Sequence, residues 1–469
     1  SGWKYTYNSR PKAKCSVRAA PTTRPRRPTK GSAPCASGSR HLPVVNRKAV
    51  EYTIMTGLAL GCRIPEYTKF DRKNYPYPDL MKGYQISQYD LPLALDGHLE
   101  FETGGQAYNV GIERVHLEED VAKLHHHPSA DGQGYSLVDV NRSGVPLMEV
   151  VSKPDMRSAE EAREYLTTLH SILQYLDVST ANLQDGSFRC DANISLRPKG
   201  RERLGSKAEV KNMNSFRSVF LALKYERRTP AQNIGPGEKG WVEERNATVS
   251  QRSKEQAHDY RYFPEPDLPP LTIDREWVEE IQGRLPELAT QRRARFVEQY
   301  RIPEKDAGLL TNSKDMADFY ERNGDDEGLA KSVSNWVFGD LSRLLNLENT
   351  GIGESKVTPD YLAELVDLVD RGEINTNTAK DVLEQVFQDG KSPAEVVAEK
   401  GYSQIDDSSV VEEAVAAAIE ANPKALEDYR SGKSAAAKFL VGQVMKNTKG
   451  QAKPDLVNQL VEASLKAAS

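Results

Sequence analysis

A proline-rich stretch, YFPEPDLPPLTI at 262–273, separates two kinds of text that one type of layer cannot hold. Before it, from about 63, Pro, Gly and aromatic residues punctuate short β-prone runs: GHLEFETGGQAYNVGIERVHLE, YSLVDVNRSGVPLMEVV and RCDANISLRP. Helical spacing interrupts them in SAEEAREYLTTLHSILQYLD and precedes them in LPVVNRKAVEYTIMTGLALGC at 42–62. After it, from Asp274 to Ser469, nearly everything has helical periodicity, with Gly and Pro at the joints. The pattern predicts an α+β chain, a mostly antiparallel sheet domain followed by helices alone. TPDYLAELVDLVDRGEINTNTAKDVLEQVFQDG reads as two helices around a short turn. SPAEVVAEKG reads as a capped helix, opening on Ser-Pro and closing on Gly. The text from Ser408 to Lys466 reads as a terminal helical module, and joints are expected near 290 and 400.

The net charge of -5 over 469 residues excludes a generally basic nucleic-acid binder, so any RNA contact has to come from local patches. No run of about eighteen apolar residues occurs, which excludes a helical membrane span. The cysteines, Cys15, Cys35, Cys62 and Cys190, form no CxxC pair. As written they argue against a disulfide framework and against a zinc site, and a reducing cytoplasm is expected.

Several stretches can carry chemistry. RVHLEEDVAK places Glu118, Glu119 and Asp120 together at the end of a β-prone run. Adjacent carboxylates are usually just solvated, but a hard cation such as Mg²⁺ would explain their crowding. Glu149 follows an apolar run, where a buried lone carboxylate is costly unless it is paired or metal-bound. In a strand, Arg189, Asp191 and Asn193 share one face, either of a site or of a solvent edge. Lys207, Glu209, Lys211, Asn212 and Asn214 precede a helix start, where ammonium and amide groups suit a phosphate or carboxylate. Arg261 lies between two tyrosines, and Lys69, Lys73, Tyr75, Lys82 and Gln88 crowd another aromatic stretch. Such a mixture can stack on a nucleotide base or simply pack a loop. His125 to His127 read as a surface loop before a Gly-rich turn. Neither a P-loop nor a Gly-x-Ser-x-Gly elbow occurs, so an ATP enzyme here is not a P-loop one.

Taken in order, KFDRKNYPYPDLMKGYQISQYDLPLA, RVHLEEDVAK, SLVDVNRSGVPLMEVVSKPDMRS, RCDANISLRP, EVKNMNSF, HDYRYFPEPDLPPL and FLVGQVMKNTKGQA resemble the GatB family, the B subunits of bacterial-type tRNA-dependent amidotransferases. The resemblance runs nearly ungapped from Leu42 to Lys466. It implies a cradle-shaped catalytic domain over 42–290, a helical domain over 291–400 and a YqeY-like tRNA-contacting tail over 401–469. It implies partner A (amidase) and C subunits, misacylated tRNA as substrate, and ATP with Mg²⁺ as cofactors. Glu118, Glu119 and Glu149 match the stretches that carry the family's metal-binding carboxylates, and Arg189 and Asp191 lie in a signature of the same pocket. Lys69, Lys73, Tyr75, Lys82, Gln88, Lys211, Asn212 and Arg261 are the expected nucleotide contacts. A non-catalytic tRNA-binding scaffold is the rival reading, and it has no need of the carboxylate set. Pro76, Met81 and the stretch Glu226 to Trp241 depart from the family pattern.

The first fifty residues depart further, with twelve Lys and Arg and no Asp or Glu. The family begins with a strand of the form LEIHVQL, then KSKMFCSC and CPVCLG, before LPVLN. Here LPVVN is intact and nothing before it matches. Starting each codon one base earlier changes this. The last base of Trp3 with the first two of Lys4 is then GAA, Glu, and Tyr5 to Thr6 gives His or Tyr. Permitted codons spell LEIHVQLKTKSKMFCSC and, from GSAPCASG, VCPVCLG, at the family's spacing. Residues 2–41 therefore read as a frameshifted translation, with a presequence or a basic RNA arm as rivals. In that reading Lys4, Tyr5 and Thr6 replace a metal-side Glu and His, the zinc-binding cysteine pairs of the family are lost, and the literal chain is weak in ATP chemistry.

Overall fold

The computed structural model describes residues 43–127, 134–181, 183, 186–198, 205, 207–228, 237–253, 260–323, 327–348, 350–402, 408–430, 435–448 and 452–467, with the backbone of 7–9 and 12–18. The chain separates into two compact units, Ser1–Ala289 and Thr290–Ser469.

Among the described residues, nine strands form the main sheet of the first unit. From one edge they run Ala247–Ser253, Gly237–Val242, Lys207–Lys211, Phe188–Pro198, Lys12–Arg18, Pro146–Ser152, Gln106–Glu119 and Ala94–Thr103, and Tyr7–Ser9 pairs beside this path with Phe188–Pro198. Neighbours are antiparallel except for the parallel pair 207–211 and 237–242. The expected mixed fold, with mostly antiparallel sheet, is what forms.

Side-chain alternation gives this sheet two unlike faces. In 188–198, Phe188, Cys190, Ala192, Ile194 and Leu196 are buried, while Arg189 and Asp191 on the other face stay half-exposed. Helices Arg47–Ala59, Ala159–Tyr175, Phe216–Arg228 and Arg275–Gly283 share the apolar core with the first of these faces. The 159–175 helix shows why. Ser158 caps it by accepting from Glu161 N at 3.1 Å, and Ala162, Tyr165, Leu166, Leu169 and Leu173 form one buried stripe at helical spacing. Each fully buried Leu or Phe contributes roughly 1.5–3 kcal/mol of apolar transfer energy.

One irregularity sets which residues reach the polar face. In 106–119 the buried apolar positions are Val110 and Ile112, then Val115 and Leu117, an odd step in an even pattern. The pairing with 146–152 shifts at that level, between Val151 and Ser152. On the neighbouring strand Asp96 has a φ of 56°, and burial passes from Ala94 to Gly97 and Leu99. A bulge of this kind re-aims every later side chain. Without it, His116 and Glu118 would face the helices.

Beside the bulge, Gly97 lies close against another segment. A Cβ there would lie 2.3 Å from Cys62 Sγ and 2.5 Å from Leu60 O. Gly97→Ala is expected to lower stability by about 1–3 kcal/mol, the usual cost of overpacking, read as a lower urea midpoint at unchanged slope.

A three-stranded sheet of Tyr84–Ser87, Asp71–Asn74 and Phe263–Pro264 completes the site's surroundings. Arg72 grips buried Glu265 through two hydrogen bonds of 2.7 and 2.8 Å, closing this sheet across the chain. His125 and His127 are exposed on a two-stranded ribbon, Lys123–His127 with Tyr135–Asp139, and not in a loop.

The second unit contains no strand among its described residues. Its helices bury two separate apolar clusters, one from Phe296 to Val397 and one from Val411 to Leu465. Pro359–Asp370 and Thr376–Asp389 form the predicted helix pair. Ser392 and Glu395 close a capping box before Pro393–Lys400, which Gly401 ends at a φ of 63°.

Candidate active site

Strands 106–119 and 146–152 pair with Glu149 opposite His116 and Leu147 opposite Glu118. Paired residues point to the same face, so three polar side chains converge. His116, Glu118 and Glu149 are 2%, 7% and 3% exposed. His116 Nε2 lies 3.1 Å from Glu118 Oε1 and 3.8 Å from Glu149 Oε1. One ligand atom from each of the three lies within 4.8 Å of the others. Ser87 Oγ donates to Glu118 Oε1 at 2.6 Å, and Gln85 Nε2 approaches Glu118 Oε2 at 3.3 Å. His116 Nδ1 is buried with no partner among the described residues.

Two buried carboxylates beside an imidazole repel one another unless a cation joins them. Two carboxylates and one imidazole suit Mg²⁺ or Mn²⁺ with further oxygen ligands from substrate or water. The residues present therefore fit a divalent cation, held by Glu118, Glu149 and His116.

Glu119 goes elsewhere. It contacts Lys82 closely and accepts from Ile86 N at 2.8 Å, so the structure groups Glu118, not Glu119, with Glu149. Arg189 Nη2 donates to Asp120 Oδ1 at 2.8 Å. Arg189 is opposite Ser16, and Ser16 is opposite Glu149, which puts Arg189 two strands from Glu149 on one face. Asp191 and Lys211 lie farther along that face. Burial works against the Lys211 charge, yet Glu209, Asp191 and Glu238 outweigh it and hold the ammonium above the usual lysine range. Asn212, exposed beside it, has a φ of 61°, a left-handed geometry that Asn tolerates.

The remaining expected contacts cluster on the three-stranded sheet. Lys73 lies over the rings of Tyr75 and Tyr260, 5.7 and 5.1 Å from their centroids. Arg261, exposed with a φ of 41°, follows Tyr260. Lys69 is held in ion pairs of 2.6 and 2.8 Å to Asp71 and Asp90. Gln88 is 1% exposed and turned inward, donating to Thr68 Oγ1 at 2.7 Å and accepting from Leu117 N at 3.0 Å. A cavity of about 210 Å³ opens beside Glu119, Asp120, Asp79 and Lys82, too small for a whole nucleotide. Burial pushes the Asp79 carboxyl above the usual carboxylate range.

Sequence reasoning missed His116, Ser87 and Gln85. His116 was within reach, because it stands two residues before Glu118 and a strand puts both on one face. Lys4, Tyr5 and Thr6, and the other displaced residues apart from the backbone of 7–9 and 12–18, lie outside the described residues.

Comparison with known proteins identifies the family. The family described as "GatB/GatE catalytic domain" matches residues 6–279, and a second, described as "GatB domain", matches 318–465. The chain is 51% identical over 441 residues to a Dehalococcoides mccartyi protein named as the B subunit of an aspartyl/glutamyl-tRNA(Asn/Gln) amidotransferase, covering 90% of this chain and 89% of that one. Proteins of the same name from Carboxydothermus hydrogenoformans and Moorella thermoacetica are 51% and 50% identical, each over 430 residues and 90% of this chain, covering 89% and 90% of their own lengths.

Proposed function

Because this chain belongs to the GatB/GatE catalytic-domain family, we propose that it is the B subunit of an amidotransferase that converts Glu-tRNA(Gln) and Asp-tRNA(Asn) to their amides, working in the cytoplasm with A and C subunits. The buried set His116, Glu118 and Glu149, opening on the polar face of the sheet, is the observation that carries this reading. A pure scaffold has no use for two buried carboxylates.

A carboxylate is a poor electrophile. One of its oxygens attacks the γ-phosphorus of ATP, the bond to ADP breaks, and the acyl phosphate has a leaving group. Ammonia nitrogen then attacks the acyl carbon, phosphate departs and the nitrogen sheds a proton. Glu118, Glu149 and His116 would hold a divalent cation, which would supply charge neutralisation for the transferring phosphoryl group. Ser87 and Gln85 orient Glu118. Arg189 offers a guanidinium to anionic oxygens, and Lys73, Tyr75 and Arg261 form a face for the nucleotide. Among the described residues, three separate apolar clusters support the division into a catalytic domain to 290, a helical domain to 400 and a tail beyond.

The frameshift reading of residues 2–41 belongs to the same proposal. The backbone of Lys12–Arg18 lies inside the sheet, between 146–152 and 188–198. An interior strand supports a displaced reading of a catalytic-domain strand over a presequence or a free arm.

The test is ATP cleavage and amide formation by the assembled three-subunit enzyme, with ammonium chloride replacing glutamine. Both are expected to require misacylated tRNA, to stop on chelation of divalent cations and to return with Mg²⁺. Amide formation that continues without ATP would overturn the reading.

A further inference from the structure

Asp120 is 1% exposed and sits one residue beyond the strand that carries His116 and Glu118. A buried carboxylate persists only where its charge is matched, and the partners of this one lie on three elements. Its Oδ1 accepts from Arg189 Nη2 at 2.8 Å and from Val121 N at 2.9 Å. Its Oδ2 is 3.8 Å from Arg142 Nε, which in turn donates to Val121 O at 3.0 Å. Its backbone is fixed as well, by Asp120 N to Val145 O at 2.7 Å and Gly144 N to Asp120 O at 2.9 Å. The 106–119 strand, the 141–145 turn and the 188–198 strand thus meet at one carboxylate.

Arg189 is the partner with chemistry to spare. Its side chain is 37% exposed, so the guanidinium spans from the buried Asp120 to the open polar face. Its buried Nε has no partner among the described residues. A guanidinium has five N–H donors in a rigid fork, and fixing one edge fixes where the rest point. Here the fixed edge meets Asp120, and the exposed remainder lies in the row that leads to Glu149.

We propose that Asp120 is a positioning residue that holds the Arg189 guanidinium toward the phosphate chain of ATP on the polar face of the sheet. The inference rests on the ATP-using reading above. An unanchored arginine side chain samples many rotamers, and ordering it in advance removes that cost from binding. Asp120 touches no substrate itself.

The experiment measures dissociation constants of the full chain, assembled with its A and C partners, for Mg-ATP and for adenosine. Variants are Asp120→Asn, Arg189→Ala and the pair. Asp120→Asn keeps the shape and one acceptor oxygen, and Asp120→Glu serves as a second variant that keeps the charge. Arg189→Ala is expected to weaken ATP about tenfold or more, as loss of a charge-assisted contact does, and to leave adenosine unchanged. Asp120→Asn is expected to show the same selectivity, and the double variant to bind ATP no worse than Arg189→Ala alone. Asp120→Glu is expected to recover part of the ATP affinity lost in Asp120→Asn. Equal weakening of ATP and adenosine marks Asp120 as merely structural and overturns the proposal, as does additivity in the pair. If neither the parent nor the chain restored over residues 2–41 binds ATP, the functional reading itself fails, a result distinct from either.

Discussion

Glu149→Gln, in the assembled enzyme with residues 2–41 restored to the frame that reads LEIHVQL, is expected to stop amide formation on misacylated tRNA while leaving tRNA binding nearly unchanged. The substitution keeps the volume and one oxygen of a side chain that is 3% exposed, so the fold has little to accommodate. What it removes is a charge, and that charge sits 3.8 Å from His116 beside a second buried carboxylate, Glu118. Losing one ligand of the cation would weaken the charge neutralisation it supplies to the transferring phosphoryl group, and loss of one such stabilising element costs on the order of 10²–10³-fold in turnover. With divalent cations chelated, the same change relieves repulsion between two buried carboxylates, so the thermal midpoint of the variant is expected to match or exceed that of the parent. Single-turnover amidation, filter binding of tRNA and a thermal melt in chelator together check the claim. Equal loss of amidation and tRNA binding would favour a scaffold or a folding defect and would sink it.

The second large effect concerns the N-terminal segment. Pairing puts Ser16 opposite both Glu149 and Arg189, and Lys14 opposite Asp191, so residues 12–18 form the strand between the two halves of the polar face. As the chain stands, this centre is written in a basic text that contains no acidic residue before Glu51. Encoding 2–41 in the frame that reads LEIHVQL and CPVCLG restores an acid and an imidazole at the positions of Lys4 to Thr6, together with a CxxC pair. Amidation by the assembled enzyme is expected to rise on the order of 10²-fold, because catalytic groups act only when they are held in place. Metal analysis is expected to find zinc in the restored chain and none in the parent. Equal turnover and equal metal content in the two would remove the frameshift reading and return the segment to its rivals. Sequencing the DNA for residues 1–60 decides the same question independently.

What could be read beforehand divides along a physical line. The helical half was legible because a helix is a local object. Ser392, Pro393, Glu395 and Gly401 mark their own helix within ten residues, and the capping box forms as written. Strand faces were legible in part for the same reason, since Arg189 and Asp191 need only a period of two. The grouping of Glu118 with Glu149 was half legible, by chemistry but not by partner. Choosing Glu118 over Glu119 required the phase of a strand that breaks step at the bulge, and nothing in IERVHLEE announces that break. Ser87 and Gln85 were invisible because they come from a different sheet, about thirty residues upstream, and their role exists only after both sheets form. The histidine ribbon failed for a similar reason: its strand becomes a strand only by pairing with 135–139.

The odd step in strand 106–119 has a consequence for how this protein can change over generations. Exchanging one side chain for another along that strand alters a single contact. Losing or gaining one codon between the bulge and Glu118 rotates the whole remaining segment by half a turn, turning Glu118 toward the apolar core and Leu117 into the polar face. For this stretch, the number of residues is itself inherited information, as much as their kinds.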